Sequence, residues 1–165
     1  MLTKVQIFAL EAHDGQRYGD HPYIDHLADV VRVLRRFGFF DDDLMTAAWL
    51  HDSVEDAGVL LADIATQFGD DVAALVYAVT DGEGKNRRER KTESYRKMAE
   101  RPRAIILKLA DRIANVESSI QNNGGLLQMY RKEHSMFVEK LQALSPPESR
   151  DMWEYLAKLL EQPST

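Results

Sequence analysis

Apolar residues recur along this chain at the spacing of amphipathic helices. Two early segments show one apolar helix face each: Val5, Phe8, Ala9 and Ala12, then Ile24, Leu27, Val31 and Leu34. Such a face packs against the core while the polar residues between its members face water. No segment alternates apolar and polar residues over the length of a strand. The pattern therefore predicts an all-α protein.

Glycine, proline and capping residues mark where the later helices begin and end. Asp41, Asp42 and Asp43 provide an N-cap and favourable first-turn charge for a helix that runs toward His51. Gly69 closes a short helix, and residues 81–86, 121–125 and 145–147 read as loops or turns. The later predicted helices are 44–51, 60–68, one capped by Asp70 or Asp71, 87–99, 104–120, 126–144 and 148–160.

The length and composition fit one globular domain. The chain has 165 residues, of which 44% are hydrophobic and 29% are charged. We expect residues 1–165 to form a single domain, with a motif-bearing core at about 5–120 and C-terminal helices over 126–161. The apolar faces of those C-terminal helices fit packing on the core or, equally, a homodimer interface.

Composition also excludes several kinds of function. The chain has no cysteine, which rules out disulfides, thiolate metal ligands and a cysteine nucleophile. The net charge of -6 argues against binding a nucleic-acid polymer, although residues 85–103 are locally basic. No apolar run approaches the ~20 residues needed to span a bilayer, and the N-terminal residues do not resemble a signal peptide. We therefore expect a cytoplasmic protein without a membrane partner.

Reactive side chains are most concentrated in residues 47–58, AAWLHDSVEDAG. An imidazole and three carboxyl groups follow the apolar run within six positions: His51, Asp52, Glu55 and Asp56. In a continuous helix, His51 would lie above Glu55, and Asp52 above Asp56. A solvated helix end is the simpler interpretation of this segment alone, so the decision depends on the rest of the chain.

Two more residues place polar chemistry on apolar helices. His26 is in line with the apolar positions of its helix, where a histidine is commonly a satisfied core residue. Asp111 follows the apolar run AIILKLA, and a buried carboxylate without a partner is strongly unfavourable. It requires either a salt bridge, to Arg112 or another cation, or a metal ion. Asn115 and Ser118 continue the same polar face at i+4 and i+7.

A divalent cation would unite these separate segments. His26, His51, Asp52 and Asp111 together offer two imidazoles and two carboxylates, a set that suits Mn²⁺, Fe²⁺ or Zn²⁺. Such an ion lowers the pKa of a bound water and neutralises charge that develops on a phosphoryl group. The residue types therefore indicate metal-dependent phosphoryl chemistry.

The motifs resemble those of the HD-domain metal-dependent phosphohydrolases. The finer resemblance is to the RelA/SpoT-type small alarmone hydrolases, which degrade guanosine tetra- and pentaphosphate, (p)ppGpp. It rests on five blocks: AHDGQRYGDHPYIDH (12–26), AAWLHDSVEDAG (47–58), DIATQFGDDVAALVYAVTDG (63–82), RERK (88–91) and ILKLADRIANVESS (106–119).

The resemblance implies a compact single-domain all-α HD fold, an activity and a role for each motif residue. It implies that Mn²⁺ is held by His26, His51, Asp52 and Asp111. Glu55 and Asp56 would orient and activate the water that attacks the 3′-pyrophosphate, giving GDP or GTP and pyrophosphate. Asn115 and Ser118 stand at the family's nucleotide-contacting positions.

The sequence departs from the family pattern near Arg17. GQRYGD keeps Arg17 but has Tyr18 where the family often has a second cation. Arg90 and Lys91 are candidate substitutes, although a solvated helix face is the simpler interpretation of both. Two other functions therefore stay open: an HD phosphohydrolase for another nucleotide, and a non-catalytic nucleotide-binding module.

Overall fold

Helices form most of the chain in the computed structural model, which describes residues 1–122 and 125–162. Within those ranges the helices are α1 (Lys4–Ala12), α2 (Tyr23–Arg36), α3 (Asp42–Leu50), α4 (Ser53–Ala57), α5 (Leu61–Phe68), α6 (Asp70–Val79), α7 (Arg87–Glu100), α8 (Arg103–Gln121), α9 (Leu126–Leu141) and α10 (Arg150–Glu161). Short 3₁₀ turns cover Gln142–Leu144 and Pro147–Ser149. The all-α expectation is confirmed. None of the helices in the described ranges is long and apolar enough to cross a membrane.

Several predicted boundaries move by a few residues. Gly69, rather than Asp70 or Asp71, is the N-cap of α6, and the two aspartates lie in its first turn. The helix predicted over 126–144 becomes a 3₁₀ turn after Leu141, and the last helix begins at Arg150. The turn predicted at 121–125 includes residues 123 and 124, which lie outside the described residues.

A small β-hairpin between α1 and α2 was not predicted. Strands β1 (Arg17–Tyr18) and β2 (His21–Pro22) pair antiparallel, with Tyr18 opposite His21. The turn between them contains Gly19 with a φ of 59°, a left-handed conformation that glycine adopts without steric cost. Strands of two residues are too short to show alternation. The hairpin places Tyr18 against the start of α2.

Helix α8 is the centre of the core. It packs against α2, α6, α9 and α10, and residues around its whole circumference are buried. Leu107 and Leu109, on opposite sides of the helix, are both fully buried. This burial explains the run AIILKLA, in which Lys108 is the one polar residue. It also means that Asp111, in the middle of α8, lies inside the protein.

The C-terminal helices pack on this core. Phe137 of α9 and Trp153 of α10 are buried, and their ring centroids lie 4.9 Å apart. The indole N–H of Trp153 donates to the hydroxyl of Ser145 at 2.9 Å. The apolar faces of α9 and α10 are thus used within the chain, which is the first of the two interpretations given above. A homodimer stays a prediction.

Candidate metal and catalytic site

Three side chains from different parts of the sequence meet beside α8. His26 comes from α2, His51 directly follows α3, and Asp111 comes from α8; all three are buried, and a ligand atom from each lies within 4.8 Å of the other two. Asp111 Oδ1 is 3.4 Å from His26 Nε2 and 3.6 Å from His51 Nε2. Two atoms that each lie about 2.2 Å from one ion are separated by about 3.1 to 3.6 Å. The spacing therefore fits a shared divalent cation.

Asp52 supplies a fourth group to the same place. Its Oδ2 atom lies 2.9 Å from His51 Nε2 and 3.8 Å from His26 Nε2. The structure thus brings together the four residues that the sequence predicted as ligands. Their role as ligands stays a prediction.

The backbone around His51 differs from the continuous helix considered above. Helix α3 ends at Leu50 and α4 begins at Ser53, so that His51 and Asp52 lie at a break between the two helices. The Ser53 hydroxyl donates to the carbonyl of Leu50 at 2.8 Å, which satisfies one of the carbonyls at the end of α3. Stacking at i and i+4 in one helix is therefore the wrong description of this segment.

Helix α3, which ends just before His51, orients its imidazole for a metal ion. Its Nδ1 atom lies 2.8 Å from the carbonyl of Ala48, which can only accept, so Nδ1 carries the proton. The Nε2 atom is buried, makes no hydrogen bond within the described residues, and turns its lone pair toward the oxygens of Asp52 at 2.9 Å and Asp111 at 3.6 Å. A buried lone pair of this kind needs a partner, and a cation satisfies it. The donor set and its orientation fit the metal that the family resemblance implies.

Two tyrosines, neither of them predicted as a site residue, lie beside the proposed ligands. Tyr23 donates its hydroxyl to Asp52 Oδ2 at 2.5 Å, and Tyr18 stacks on the ring of His26 with centroids 4.7 Å apart. Burial, followed by the nearby charge of Asp52, raises the pKa of Tyr23 above its ordinary value. Tyr23 therefore remains a hydrogen-bond donor and holds the Asp52 carboxylate in place.

Replacing Tyr23 with phenylalanine tests this role. We expect the metal affinity to fall roughly tenfold, because partners of ligating carboxylates commonly contribute 10- to 100-fold. The melting temperature of the metal-free protein should change little, since the ring remains. Titration with Mn²⁺ by calorimetry measures the effect. Tyr77→Phe, at an exposed ring, is the matched control. An unchanged affinity in Tyr23→Phe would show that the hydrogen bond does not support the site.

Lys108, and not Arg112, neutralises Asp111. Lys108 Nζ lies 2.8 Å from Asp111 Oδ2, whereas the guanidinium of Arg112 lies 3.4 Å from Glu133 and 3.9 Å from the ring centroid of Phe137. Residues three apart share a helix face, while adjacent residues point in different directions. Arg112 therefore faces α9, and the salt bridge that the sequence left open, to Arg112 or another cation, is made by Lys108.

The charges in the site favour a cation. Burial raises the pKa of Asp111, but Lys108 and the two histidines outweigh this effect and hold the pKa well below its usual range. Burial likewise raises the pKa of Asp52, and His51 outweighs it. Both carboxyl groups are therefore ionised. Two ionised carboxylates that converge on two imidazoles supply the anionic oxygens and the nitrogens that a divalent ion binds.

Glu55 and Asp56 lie on α4, one turn beyond Asp52. Both side chains are exposed. Glu55 Oε2 accepts from the backbone N–H of Asp81, and Asp56 Oδ2 accepts from the side-chain amide of Gln16, each at 3.0 Å. The second oxygen of each carboxylate has no hydrogen-bond partner among the residues described. The arrangement leaves both groups able to bind water, as their predicted catalytic role requires.

Three of the residues predicted to bind substrate lie near Tyr18. The Tyr18 hydroxyl donates to Asn115 Oδ1 at 2.7 Å, and Asn115 Nδ2 donates to Asp111 Oδ1 at 2.6 Å. Ser118 is half-buried and accepts from the side chain of Asn122 at 3.2 Å. Arg17 is exposed, and its guanidinium donates to the carbonyl of Asp20. Their contact with substrate stays a prediction.

Lys91 is not on a solvated helix face. It is buried, and its Nζ lies 2.7 Å from Asp81 Oδ1. Burial and the nearby charge of Lys108 lower the pKa of Lys91. Its role in substrate binding stays a prediction, and in this structure its partner is Asp81.

Comparison with known proteins agrees with this geometry. A sequence model of the family described as "HD domain" matches residues 6–133. The guanosine-3′,5′-bis(diphosphate) 3′-pyrophosphohydrolase of Aquifex aeolicus is 40% identical over 123 residues, which are 71% of this chain and 17% of that protein. The chain thus spans about a sixth of that bacterial relative.

Shorter relatives align over most of their length. The guanosine-3′,5′-bis(diphosphate) 3′-pyrophosphohydrolase MESH1 of Drosophila melanogaster is 31% identical over 140 residues, covering 81% of this chain and 78% of the relative. The MESH1 protein of Danio rerio is 35% identical, covering 70% and 67%. A solved structure, described as a metazoan ortholog of SpoT that hydrolyzes ppGpp and plays a role in starvation responses, superposes with a TM-score of 0.78 at 28% identity, covering 96% of this chain and 93% of that one. The chain belongs to the HD domain family, in the group that contains the MESH1 proteins.

Proposed function

We propose that this protein is a metal-dependent phosphohydrolase that removes the 3′-pyrophosphate of (p)ppGpp, giving GDP or GTP and pyrophosphate. The observation that carries the proposal is the convergence of His26, His51 and Asp111 within 4.8 Å, with Glu55 and Asp56 one helical turn beyond Asp52. The names of the MESH1 relatives and the description of the metazoan structure support the choice of substrate.

The proposed cofactor is Mn²⁺, held by His26, His51, Asp52 and Asp111. Two imidazole nitrogens and carboxylate oxygens suit Mn²⁺, and they also suit Fe²⁺ or Zn²⁺. When bound, the ion supplies a Lewis acid that stabilises phosphoryl charge and makes water more acidic. The family resemblance favours Mn²⁺ among these ions.

The chain's own residues carry the proton transfer in this proposal. Glu55 and Asp56 present free carboxylate oxygens on α4, where a water directed at the phosphorus can be held and can lose its proton. The backbone N–H of Asp81 fixes Glu55 from the loop after α6. Two carboxylates held from different sides define the direction of attack better than one mobile group does.

Substrate recognition would use the groups around Tyr18 and α7. Asn115 and Ser118 are proposed to contact the nucleoside, and Arg17 and Lys91 the phosphates. The charge of Lys91 is shared with Asp81, so a substrate phosphate would compete with that carboxylate. Tyr18 offers a hydroxyl and a ring where a second cation was expected. This substitution favours, as the second candidate, hydrolysis of a different nucleotide.

A substrate panel with metal removal tests the proposal. The Mn²⁺-loaded protein should release pyrophosphate from ppGpp and pppGpp at least tenfold faster than it releases phosphate or pyrophosphate from GTP or from a 3′-phosphorylated dinucleotide. Dialysis against EDTA should abolish turnover, and Mn²⁺ should restore it, because no side chain in the part of the protein that the structure describes can replace the Lewis acid. Pyrophosphate release and elemental analysis are the measurements. Turnover of ppGpp at the rate of a protein-free control would overturn the proposed substrate, and faster turnover of another nucleotide would support the second candidate.

A further inference from the structure

We propose that Gln16 is a positioning residue for Asp56, and that His13 acts on the reaction only by orienting the Gln16 amide. The inference deepens the proposed function and rests on it, since Asp56 is there assigned to the attacking water. Neither His13 nor Gln16 touches the proposed metal ligands His26, His51, Asp52 and Asp111 through a hydrogen bond within the described residues.

The hydrogen bonds form a chain with one direction. Gln16 Nε2 donates to Asp56 Oδ2 at 3.0 Å, and Gln16 Oε1 lies 2.7 Å from His13 Nδ1. An ionised carboxylate only accepts, so the amide must turn its NH₂ group toward Asp56. Its oxygen then faces His13, and Nδ1 of that imidazole must carry a proton. Each group in the chain thus fixes the orientation of the next.

The chain is anchored where α1 passes into the hairpin. His13 is the C-cap of α1 and is buried, with its ring stacked on Tyr23 at a centroid distance of 4.8 Å. The backbone N–H of Gln16 donates to the carbonyl of His13 at 3.0 Å, and the N–H of Tyr23 donates to the carbonyl of Gln16 at 3.1 Å. Gln16 is therefore held on both sides by backbone hydrogen bonds, which makes it a rigid support.

Asp56 needs such a support. It lies exposed on a helix of five residues, and Gln16 is its only side-chain hydrogen-bond donor within the part of the chain described. Without that donor, the carboxylate is free to rotate in solvent. Tyr23 connects the two parts of the site, because its ring packs on His13 while its hydroxyl binds Asp52. One aromatic side chain thus links the support of Asp56 to a proposed metal ligand.

Kinetics of two single variants and their double variant test the inference. Gln16→Leu should lower kcat for ppGpp roughly 10- to 100-fold, the range for partners that orient a reactive group, with KM and bound Mn²⁺ unchanged. His13→Leu should lower kcat by no more than that, and the double variant should be no slower than Gln16→Leu alone. His13→Asn, which keeps an N–H near the position of Nδ1, should retain most of the activity. Gln67→Leu, at an exposed glutamine, is the matched control.

If the losses of kcat in the two single variants multiply in the double variant, His13 acts independently of Gln16. That result would overturn the proposed series of hydrogen bonds from His13 through Gln16 to Asp56. A loss of bound Mn²⁺ that matches the loss of kcat would reduce both residues to a structural role, as would a change confined to KM. His13→Asn also keeps the test valid if His13→Leu does not fold.

A measurement without substrate separates this inference from the proposed function. In ¹⁵N spectra, the side-chain amide of Gln16 should shift when Asp56 is replaced by asparagine, and also when His13 is replaced by asparagine. It should not shift in Gln67→Leu. A Gln16 amide that is insensitive to both changes would overturn the hydrogen-bonded chain. If the amide signal shifts while the wild-type protein leaves ppGpp intact, the hydrogen bonds of Gln16 to His13 and Asp56 are supported and the proposed substrate is wrong.

Discussion

Replacing Glu55 with glutamine is expected to lower kcat for ppGpp by about 10²- to 10⁴-fold, the usual contribution of a positioned general base. The amide oxygen can still accept from the backbone N–H of Asp81, which Glu55 Oε2 does at 3.0 Å in the native chain. The change therefore removes the base and keeps the contact. Bound Mn²⁺ and KM should stay unchanged, because Glu55 is not part of the metal cluster formed by His26, His51 and Asp111.

Pyrophosphate release at saturating substrate and elemental analysis of the same sample measure both outcomes. Glu83→Gln is the matched control, since Glu83 is an exposed carboxylate two residues beyond Asp81. Loss of bound Mn²⁺ in the Glu55→Gln variant would show that Glu55 is a metal ligand and would contradict its assigned role as the base. If the wild-type protein and Glu55→Gln both bind ppGpp and neither releases pyrophosphate above background, the non-catalytic nucleotide-binding module is favoured, because a binder has no use for a base.

The helices and the meeting of the site residues follow from patterns in the sequence. The apolar run AIILKLA predicts a buried helix, and a buried Asp111 carboxylate needs a partner. In the structure, Asp111 Oδ1 lies 3.4 Å from His26 Nε2, and Asp111 Oδ2 lies 2.8 Å from Lys108 Nζ. The spacing rule for helix faces also identifies Lys108, three residues before Asp111, as a better partner than Arg112.

The break between α3 and α4 does not follow from local patterns. Residues 47–58 have no glycine or proline before Gly58. Nothing in their sequence therefore marks a break between Leu50 and Ser53, and the helix predicted over 44–51 gives no sign of the separate α4 that follows. At the break, His51 donates back to Ala48 and Ser53 to Leu50. These short-range side-chain bonds compensate for backbone hydrogen bonds that a continuous helix would make.

The hydrogen bonds that hold the site residues in place cannot be predicted from local sequence patterns, because they join segments that are distant in the sequence. Tyr23 reaches Asp52 across 29 positions, Gln16 reaches Asp56 across 40, and Asp81 reaches Glu55 across 26. Helical periodicity relates residues within one element and says nothing of which side chains meet between elements. Tyr18 is an example. In the sequence it stands where the family often has a second cation, and in the structure its hydroxyl donates a hydrogen bond to Asn115 Oδ1.

Replacing Asp111 with asparagine is expected to have two separable effects. The variant should bind Mn²⁺ at least 100-fold more weakly, because a neutral amide replaces the carboxylate that faces both histidines at 3.4 and 3.6 Å. The metal-free protein should also lose about 3 to 5 kcal/mol of unfolding free energy, the usual cost of leaving one partner of a buried ion pair uncompensated. The uncompensated group is Lys108, whose side chain is 12% exposed. Turnover of ppGpp should fall to background.

A second substitution separates the two effects. In the double variant Asp111→Asn, Lys108→Met, the buried charge is gone, so most of the lost unfolding free energy should return, while Mn²⁺ binding should not. Urea denaturation in EDTA measures the first quantity, and calorimetric titration with Mn²⁺ measures the second. Asp71→Asn is the control, because its pair with Arg101 spans 3.4 Å at an exposed aspartate, and such pairs contribute at most about 1 kcal/mol. Native Mn²⁺ affinity in Asp111→Asn would exclude Asp111 as a ligand. Recovery of affinity in the double variant would show that Asp111 acts only by neutralising Lys108.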